Sequence, residues 1–87
     1  MDDNISGASV VIDARNLACP LPVLKLRKAL RAVSNDVLVE LRATDPAAVR
    51  DVPAFCAAQG HTVLELRRDG AVIRFLIRRG SDTAGQP

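Results

Sequence analysis

The residue best suited to chemistry in this chain is a cysteine at the predicted start of a helix. Cys19 is followed by Pro20, Leu21 and Pro22, and the apolar residues after them recur at helical spacing. Because the positive end of a helix dipole favours a thiolate, we expect the pKa of Cys19 to lie below that of a free thiol. A thiol so placed is poised to act as a nucleophile.

Two prolines restrict both the backbone and the hydrogen-bond donors around this thiol. Each proline fixes its own φ and lacks an N–H, and Pro20 suits the first helical position because its donor would be unpaired there anyway. Only Leu21 and Val23 keep an N–H among the first four predicted helical positions. Arg15, four residues upstream, is a candidate for additional positive charge. We therefore expect a thiol that is held stiffly at an exposed corner and is only modestly activated.

Pro22 stands where a Cys-x-x-Cys redox motif carries its second cysteine. In such a pair the second thiol attacks any mixed disulfide or persulfide that forms on the first. Without it, a sulfur atom loaded on Cys19 is not expelled at once and can be handed to another protein's cysteine. The pattern favours carrying sulfur over reducing disulfides. The alternative is a buried cysteine that only fills the core.

The second cysteine and the single histidine are weaker candidates for a chemical role than Cys19. Cys56 lies four residues after Val52 on a predicted inner helix face, which favours packing, although a redox role and a disulfide to Cys19 stay open. His61, the single histidine, follows Gly60 at a predicted helix end, where a turn or capping role is expected. Two cysteines and one histidine are too few for a structural zinc site, and we predict no metal and no cofactor.

Composition indicates one small domain with an aliphatic core. The 87 residues are 48% hydrophobic and include two Phe but no Trp or Tyr. No apolar run approaches the roughly 20 residues of a membrane span, and the acidic start at Asp2 and Asp3 is unlike a signal peptide. With no disulfide framework either, we expect a cytoplasmic protein whose thiols stay reduced.

The net charge of +2 conceals two clusters of basic residues. Solvated helix and strand faces explain such clusters, and a docking surface for an acidic protein or for RNA is the alternative. Because no aromatic cluster is available to stack bases, we expect no direct sequence-specific nucleic-acid binding. The clusters are Arg15, Lys25, Arg27, Lys28 and Arg31, and Arg67, Arg68, Arg74, Arg78 and Arg79.

Hydrophobic periodicity predicts the element order β-α-β-α-β-β. Pro53 is expected to separate a short helical turn from the main second helix, and Asp69-Gly70 is typical of a hairpin turn. In the third strand, Leu64 and Leu66 are expected on one face and the more solvated side chains on the other. The predicted elements are strands over 10–14, 37–43, 62–67 and 71–78, a helix from Pro20 to Ser34-Asn35-Asp36, a helical turn over 46–50 and a helix over 52–59.

These elements predict an α+β fold of two layers. The economical arrangement is a two-layer α/β sandwich, with a four-stranded mixed sheet and two helices on one of its faces. We expect a flexible N-terminus over 1–9, a single domain over 10–79 and a disordered tail over 80–87.

A possible docking ridge lies beside the cysteine on the first helix. Leu21 and Leu24 fall outside the predicted buried stripe and share one exposed ridge with Lys28. Leucines at a helix start can be exposed incidentally. The alternative is an apolar patch with a basic rim, over which a partner brings its own cysteine.

The stretch Asp13–Pro22 resembles the N-terminal signature of the TusA/SirA-like sulfur carriers, with their Cys-Pro-x-Pro motif. The resemblance extends from Val10 to Gly80, and its motifs are specific in combination. The later segments that share it are Asp45-Pro46-Ala47, Arg50-Asp51-Val52-Pro53, Phe55-Cys56 and Phe75-Leu76-Ile77-Arg78.

The resemblance implies that this is a sulfurtransferase with the same two-layer fold. It implies that Cys19 accepts a persulfide sulfur from a cysteine desulfurase or a rhodanese and relays it to an acceptor in tRNA thiolation, molybdenum cofactor maturation or sulfur oxidation. Leu21 is a departure, because the tRNA-thiolation type usually has an acidic residue there. The alternative is a non-catalytic regulatory or protein-binding module of the same fold.

Overall fold

Four strands form one sheet, and two helices pack on one of its faces in the predicted order β-α-β-α-β-β. The computed structural model describes residues 7–81, so the predictions for 1–6 and 82–87 lie outside the described residues. Within 7–81, neither helix is long and apolar enough to cross a membrane. The elements are β1 (Val10–Ala14), α1 (Leu21–Arg31), β2 (Leu38–Ala43), α2 (Ala48–Gln59), β3 (Thr62–Asp69) and β4 (Val72–Arg78).

The sheet is mixed, as the sequence predicts, with strand order β1-β2-β4-β3. β1 and β2 are parallel, and α1 is the crossover that this pairing requires. β4 runs antiparallel to both β2 and β3. The parallel pair brings Ala14 and Ala43 into register at its last position, so the loops that follow β1 and β2 begin side by side.

The core lies between the sheet and the helices and is mostly aliphatic. Leu41 is in register with Ile12 on β1 and with Phe75 on β4, and partners in register point to the same face. Phe75 is the largest fully buried side chain. The helices close the core with Leu26 and Leu30 of α1 and Ala48, Val52 and Cys56 of α2.

α2 is one continuous helix from Ala48 to Gln59, so the predicted break at Pro53 is wrong. The proline removes the hydrogen bond that its N–H would have donated to the Val49 carbonyl, and its ring crowds that carbonyl. The buried stripe of Ala48, Val52 and Cys56 runs past it at four-residue spacing. Packing of that stripe therefore outweighs the local cost of the proline.

β3 contains an irregularity that corrects the predicted strand faces. The pairing with β4 shifts between Val63 and Glu65, so Leu64 has no partner in the register. After the shift, Leu66 pairs with Phe75 on the helix side and Glu65 pairs with Leu76 on the opposite face. Val63, in register with Ile77, therefore faces the helices while Glu65 faces away, so these two residues do not share a face as predicted. Leu64 and Leu66 are 45% and 38% exposed. A β-bulge of this kind resets the alternation along one strand.

A buried carboxylate lies on the face of the sheet opposite the helices. Glu40 has no exposed area, and Arg42 Nε donates to its Oε2 at 2.7 Å. Arg74 Nη1 lies 3.8 Å from the same oxygen. A buried charge requires such partners, because its desolvation is otherwise uncompensated. The alternating pattern of β2 places Glu40 on this face, but does not reveal its burial.

Two glycines meet where α2 ends and β4 leaves the sheet. Gly60 ends α2 as predicted, with a φ of 82° and its N–H on the Cys56 carbonyl. Gly80 donates its N–H to His61 Nδ1 at 2.9 Å. A Cβ built on Gly80 would lie 1.9 Å from the Gly60 carbonyl oxygen.

We therefore expect Gly80→Ala to destabilise the protein, because a backbone oxygen cannot yield as a flexible side chain would. Overpacking of this kind costs about 1–3 kcal/mol in the free energy of unfolding, measured by urea denaturation. Arg78→Ala, at an exposed strand end, is the control and should change stability by less than about 0.5 kcal/mol. Equal stabilities of Gly80→Ala and the wild type would contradict the prediction.

Candidate functional site

Cys19 is exposed in the loop between β1 and α1, directly before the helix. α1 begins at Leu21, one residue later than predicted, and Pro20 is its N-cap. The Leu21 N–H bonds to the Ala18 carbonyl at 2.9 Å, and the Cys19–Pro20 peptide bond is cis. The Leu21 donor that the sequence offered to the sulfur is therefore used within the loop.

The thiol instead contacts a carboxylate of α2. Cys19 Sγ lies 3.0 Å from Asp51 Oδ2, and because a carboxylate only accepts, the S–H is the donor. On its other side, Asp51 Oδ1 lies 3.4 Å from Arg50 Nε. In the sequence, Asp51 stands in the segment Arg50-Asp51-Val52-Pro53, and nothing there predicts its contact with the cysteine.

A second carboxylate fixes the backbone of the cysteine. Asp45 Oδ2 accepts the Cys19 N–H at 2.7 Å, and Asp45 Oδ1 accepts the Ala47 N–H at 3.0 Å. These bonds lower the pKa of Asp45. Nearby, the Asn16 N–H donates to Thr44 Oγ1 at 2.8 Å. The loop that carries the thiol is thus tied to the loop that follows β2.

Parallel pairing of β1 with β2 explains why these distant residues meet. The carboxyl ends of neighbouring parallel strands lie at one edge of the sheet, and their loops continue from that edge. Residues 15–19 and 44–47 follow those two ends. If β1 and β2 are taken as parallel neighbours, their shared edge predicts that Asp45 lies close to Cys19.

The surroundings of Cys19 raise its pKa, so the expected lowering is wrong. The hydrogen bond to Asp51 is the largest cause, followed by desolvation and by the negative charges of Asp51 and Asp45. Arg50 opposes them with a positive charge. The two carboxylates and desolvation therefore favour the protonated form, and at neutral pH the resting cysteine is a thiol.

The Arg15 side chain is paired with Asp13 of β1. Its Nε and Nη2 bond to the two carboxylate oxygens of Asp13 at 2.9 and 3.0 Å. This bidentate pair holds the pKa of Asp13 well below its usual range. Lys25 Nζ also donates to the Asp13 carbonyl oxygen. The positive charges nearest the loop in sequence are therefore held around Asp13.

Leu21, Leu24 and Lys28 are all exposed on α1. The two leucines are 48% and 49% exposed, and the three side chains follow one another at three- and four-residue spacing. Pro22, in contrast, is buried under the first turn. The structure thus shows the apolar ridge with its basic end, whereas its role in docking stays a prediction.

Cys56 and His61 do not reach the exposed thiol. Cys56 is 1% exposed, and burial raises its pKa to about 11. The His61 ring lies 6.0 Å from that of Phe55, and its Nδ1 accepts the Gly80 N–H. Both cysteines are free. Across residues 7–81, no three His, Cys, Asp or Glu side chains gather to hold a metal.

We expect the two cysteines to differ sharply in alkylation. Iodoacetamide near pH 8 should add one group to the folded chain, at Cys19, and two groups in denaturant, because only Cys19 is exposed. Intact mass and peptide mapping give the count and the position. Rapid labelling of Cys56 in the folded chain, or a Cys19–Cys56 disulfide after mild oxidation, would contradict the structure.

Comparison with known proteins points to one family. The family model described as "Sulfurtransferase TusA" matches residues 10–79. The putative sulfur carrier protein YrkI of Bacillus subtilis is 36% identical over 70 residues, which cover 80% of this chain and 93% of that protein. The putative sulfur carrier protein YrkF of the same organism is 30% identical over 79 residues. That alignment covers 91% of this chain but only 43% of YrkF.

A solved structure shares the fold. The SirA-like protein from Desulfitobacterium hafniense superposes with a TM-score of 0.72, over 83% of this chain and 99% of that one. The two sequences are 24% identical, so the likeness concerns the fold.

Proposed function

Because the chain belongs to the TusA family of sulfurtransferases, we propose that it is a sulfur carrier whose Cys19 accepts a persulfide sulfur and relays it to a partner protein. The observation that supports this role is the contrast between the two cysteines. Cys19 is exposed and free, whereas Cys56 is buried in the core. A sulfur atom bound to Cys19 therefore has no second thiol of the same chain exposed beside it within residues 7–81.

Loading is an exchange of sulfur between two cysteines. The Cys19 sulfur forms a bond to the outer sulfur of the donor's persulfide, and the donor's S–S bond breaks. The bonding electron pair leaves on the donor's cysteine sulfur, which takes up the proton that Cys19 releases. No external oxidant or reductant is consumed, and delivery to the acceptor repeats the same exchange.

The neighbouring residues have supporting roles in this proposal. Pro20 stiffens the end of the loop, Pro22 stiffens the first turn of α1, and Arg15 braces the start of the loop through Asp13. Leu21, Leu24 and Lys28 form the surface on which a donor or acceptor docks. The donor is a cysteine desulfurase or a rhodanese, and the exchange takes place in the cytoplasm, where thiols are reduced.

The apolar side chain of Leu21 limits which acceptor proteins can dock on the surface that it forms with Leu24 and Lys28. Family destinations include tRNA thiolation, molybdenum cofactor maturation and sulfur oxidation. An acidic side chain in place of Leu21 would pair with a basic partner group, whereas leucine favours an apolar contact. The docking surface is therefore suited to a partner unlike that of the tRNA-thiolation type.

The proposal is tested by loading the protein with sulfur. After incubation with a cysteine desulfurase and free cysteine, the intact mass should increase by one sulfur atom and return to its original value with dithiothreitol. Omitting the desulfurase is the control. An unchanged mass with a desulfurase and with a rhodanese charged with thiosulfate would overturn the proposal.

A further inference from the structure

The contact between Cys19 and Asp51 keeps the exposed cysteine protonated. Sγ lies 3.0 Å from Oδ2, and the bond requires a hydrogen on sulfur because the carboxylate has none to give. The Asp51 side chain is 26% exposed, so a group outside the protein can still reach it. The cysteine is thus accessible to partners while its thiolate is disfavoured.

The charges around the sulfur come from two elements and are predominantly negative. Asp51 and Arg50 belong to α2, and Asp45 lies in the loop after β2. Arg50 approaches Asp51 Oδ1 at 3.4 Å, but its side chain is 81% exposed, so this pair contributes little. Arg15 is engaged on Asp13. No other cation within residues 7–81 is paired with Asp51.

We propose that Asp51 determines which partners react with Cys19, holding the sulfur as a thiol until a partner places a positive charge beside the Asp51 carboxylate. That charge weakens the carboxylate as an acceptor and stabilises the thiolate next to it. The coupling is reciprocal, because a thiolate in turn strengthens the attraction for the cation. The inference rests on the proposed function only in identifying the partner as a sulfur donor or acceptor that carries a cationic side chain near its reacting cysteine.

The same selectivity must appear with small disulfides, which need no sulfur donor. The Cys19 thiolate attacks one sulfur of the disulfide, a mixed disulfide forms, and the other half leaves as a thiolate that takes up the proton. Cystamine carries an ammonium group at each end, whereas dithiodipropionate carries a carboxylate at each end. The rate of reaction of Cys19 with cystamine is divided by its rate with dithiodipropionate. The same ratio is measured for the uncharged thiol N-acetylcysteine amide, and the protein's ratio divided by this reference ratio gives the preference of Cys19 for positive charge.

We expect the wild-type protein to favour cystamine about tenfold at low ionic strength, and Asp51→Asn to favour it less than about threefold. Asp36→Asn is the matched control, because it removes the same charge beyond the other end of α1, which is about 16 Å long. Asp36 has a φ of 67°, a conformation that asparagine tolerates. This control should keep the wild-type ratio. Cys19→Ser gives the background from Cys56.

A second readout separates this role from a structural one. The pH midpoint of alkylation of Cys19 by iodoacetamide should move to lower pH in Asp51→Asn and in Asp51→Ala, and stay in place in Asp36→Asn. Asp51→Ala leaves no group to bond the sulfur, and circular dichroism confirms that each variant is folded.

Unchanged midpoints, or a cystamine preference that survives in both Asp51 variants, would overturn the inference. These results do not depend on sulfur loading. A protein that receives no sulfur from any donor but shows the shifted midpoints and ratios refutes the proposed function and leaves the role of Asp51 standing. A protein that is loaded with sulfur but shows unchanged midpoints and ratios in the Asp51 variants is a sulfur carrier whose partners are not selected by Asp51.

Discussion

We expect Cys19→Ser to receive no sulfur from a donor that loads the wild-type protein, and to deliver none to an acceptor. The hydroxyl of serine is far less acidic than a thiol and does not form the S–S bond on which the exchange depends. Radiolabelled sulfur from cysteine, followed through a desulfurase to the carrier and then to the acceptor, should fall to the level seen without carrier. This is the largest functional effect that we expect of any single substitution.

The matched control for this experiment is Cys56→Ala. Cys56 is buried in the core, so its loss should lower stability but leave sulfur loading intact below the melting temperature. Because Cys19 is exposed, Cys19→Ser should melt near the wild-type temperature. Equal loading of Cys19→Ser and the wild type would instead assign the sulfur to another residue.

Phe75→Ala should have the largest effect on stability. Phe75 is fully buried, and its register partners are Leu41 on β2 and Leu66 on β3. Truncation of a buried phenylalanine costs about 3–5 kcal/mol, because the lost apolar contacts leave a cavity. A small domain has a total stability of about 5–15 kcal/mol. Urea denaturation should therefore show a protein that is marginally stable or unfolded at room temperature.

Phe75→Leu is the control for volume at the same position. Leucine keeps most of the apolar contacts and should cost less than about 1.5 kcal/mol if its neighbours repack. A large loss with leucine would mean that the shape of the ring, rather than its burial, matters. A small loss with alanine would mean that the two-layer core collapses around the gap.

Local patterns predict much of the fold because each acts within a few residues. The apolar spacing of α1 and the alternation of β2 produce the expected elements. The hairpin also forms, but one residue later than Asp69-Gly70 predicts: Asp69 pairs with Val72 and leaves Gly70 and Ala71 as the turn. Gly60 ends α2 with a positive φ, as its position predicts. The strand order also requires β4, rather than β3, to pair with β2, and no local pattern specifies that choice.

The predicted break at Pro53 and the predicted faces of β3 are wrong for a tertiary reason. Pro53 lies inside α2 because the stripe of Val52 and its neighbours is buried against the sheet, and local propensity gives no measure of that packing. The bulge after Val63 depends on how β3 pairs with β4. No alternation within β3 itself specifies where that pairing slips.

The candidate site was predicted in part. The motif identifies Cys19 and places it, correctly, beside the start of α1. Its electrostatic surroundings were not predicted. The helix dipole can be inferred from the position of Cys19 within one element, but Asp51 contacts the sulfur from a different helix. The sign of the pKa shift depends on that long-range contact.

The hydrogen bonds that join Cys19 to Asp45 and Asp51 also limit how far the tetrapeptide Cys-Pro-Leu-Pro can be transplanted to another protein. The residues that hold Cys19 lie 26 and 32 positions further along the chain, at Asp45 and Asp51. A graft of residues 15–22 onto another scaffold would carry the sulfur atom and leave behind the carboxylates that set its reactivity. The smallest portable unit that retains this chemistry is one that includes β1, α1, β2 and the first turns of α2.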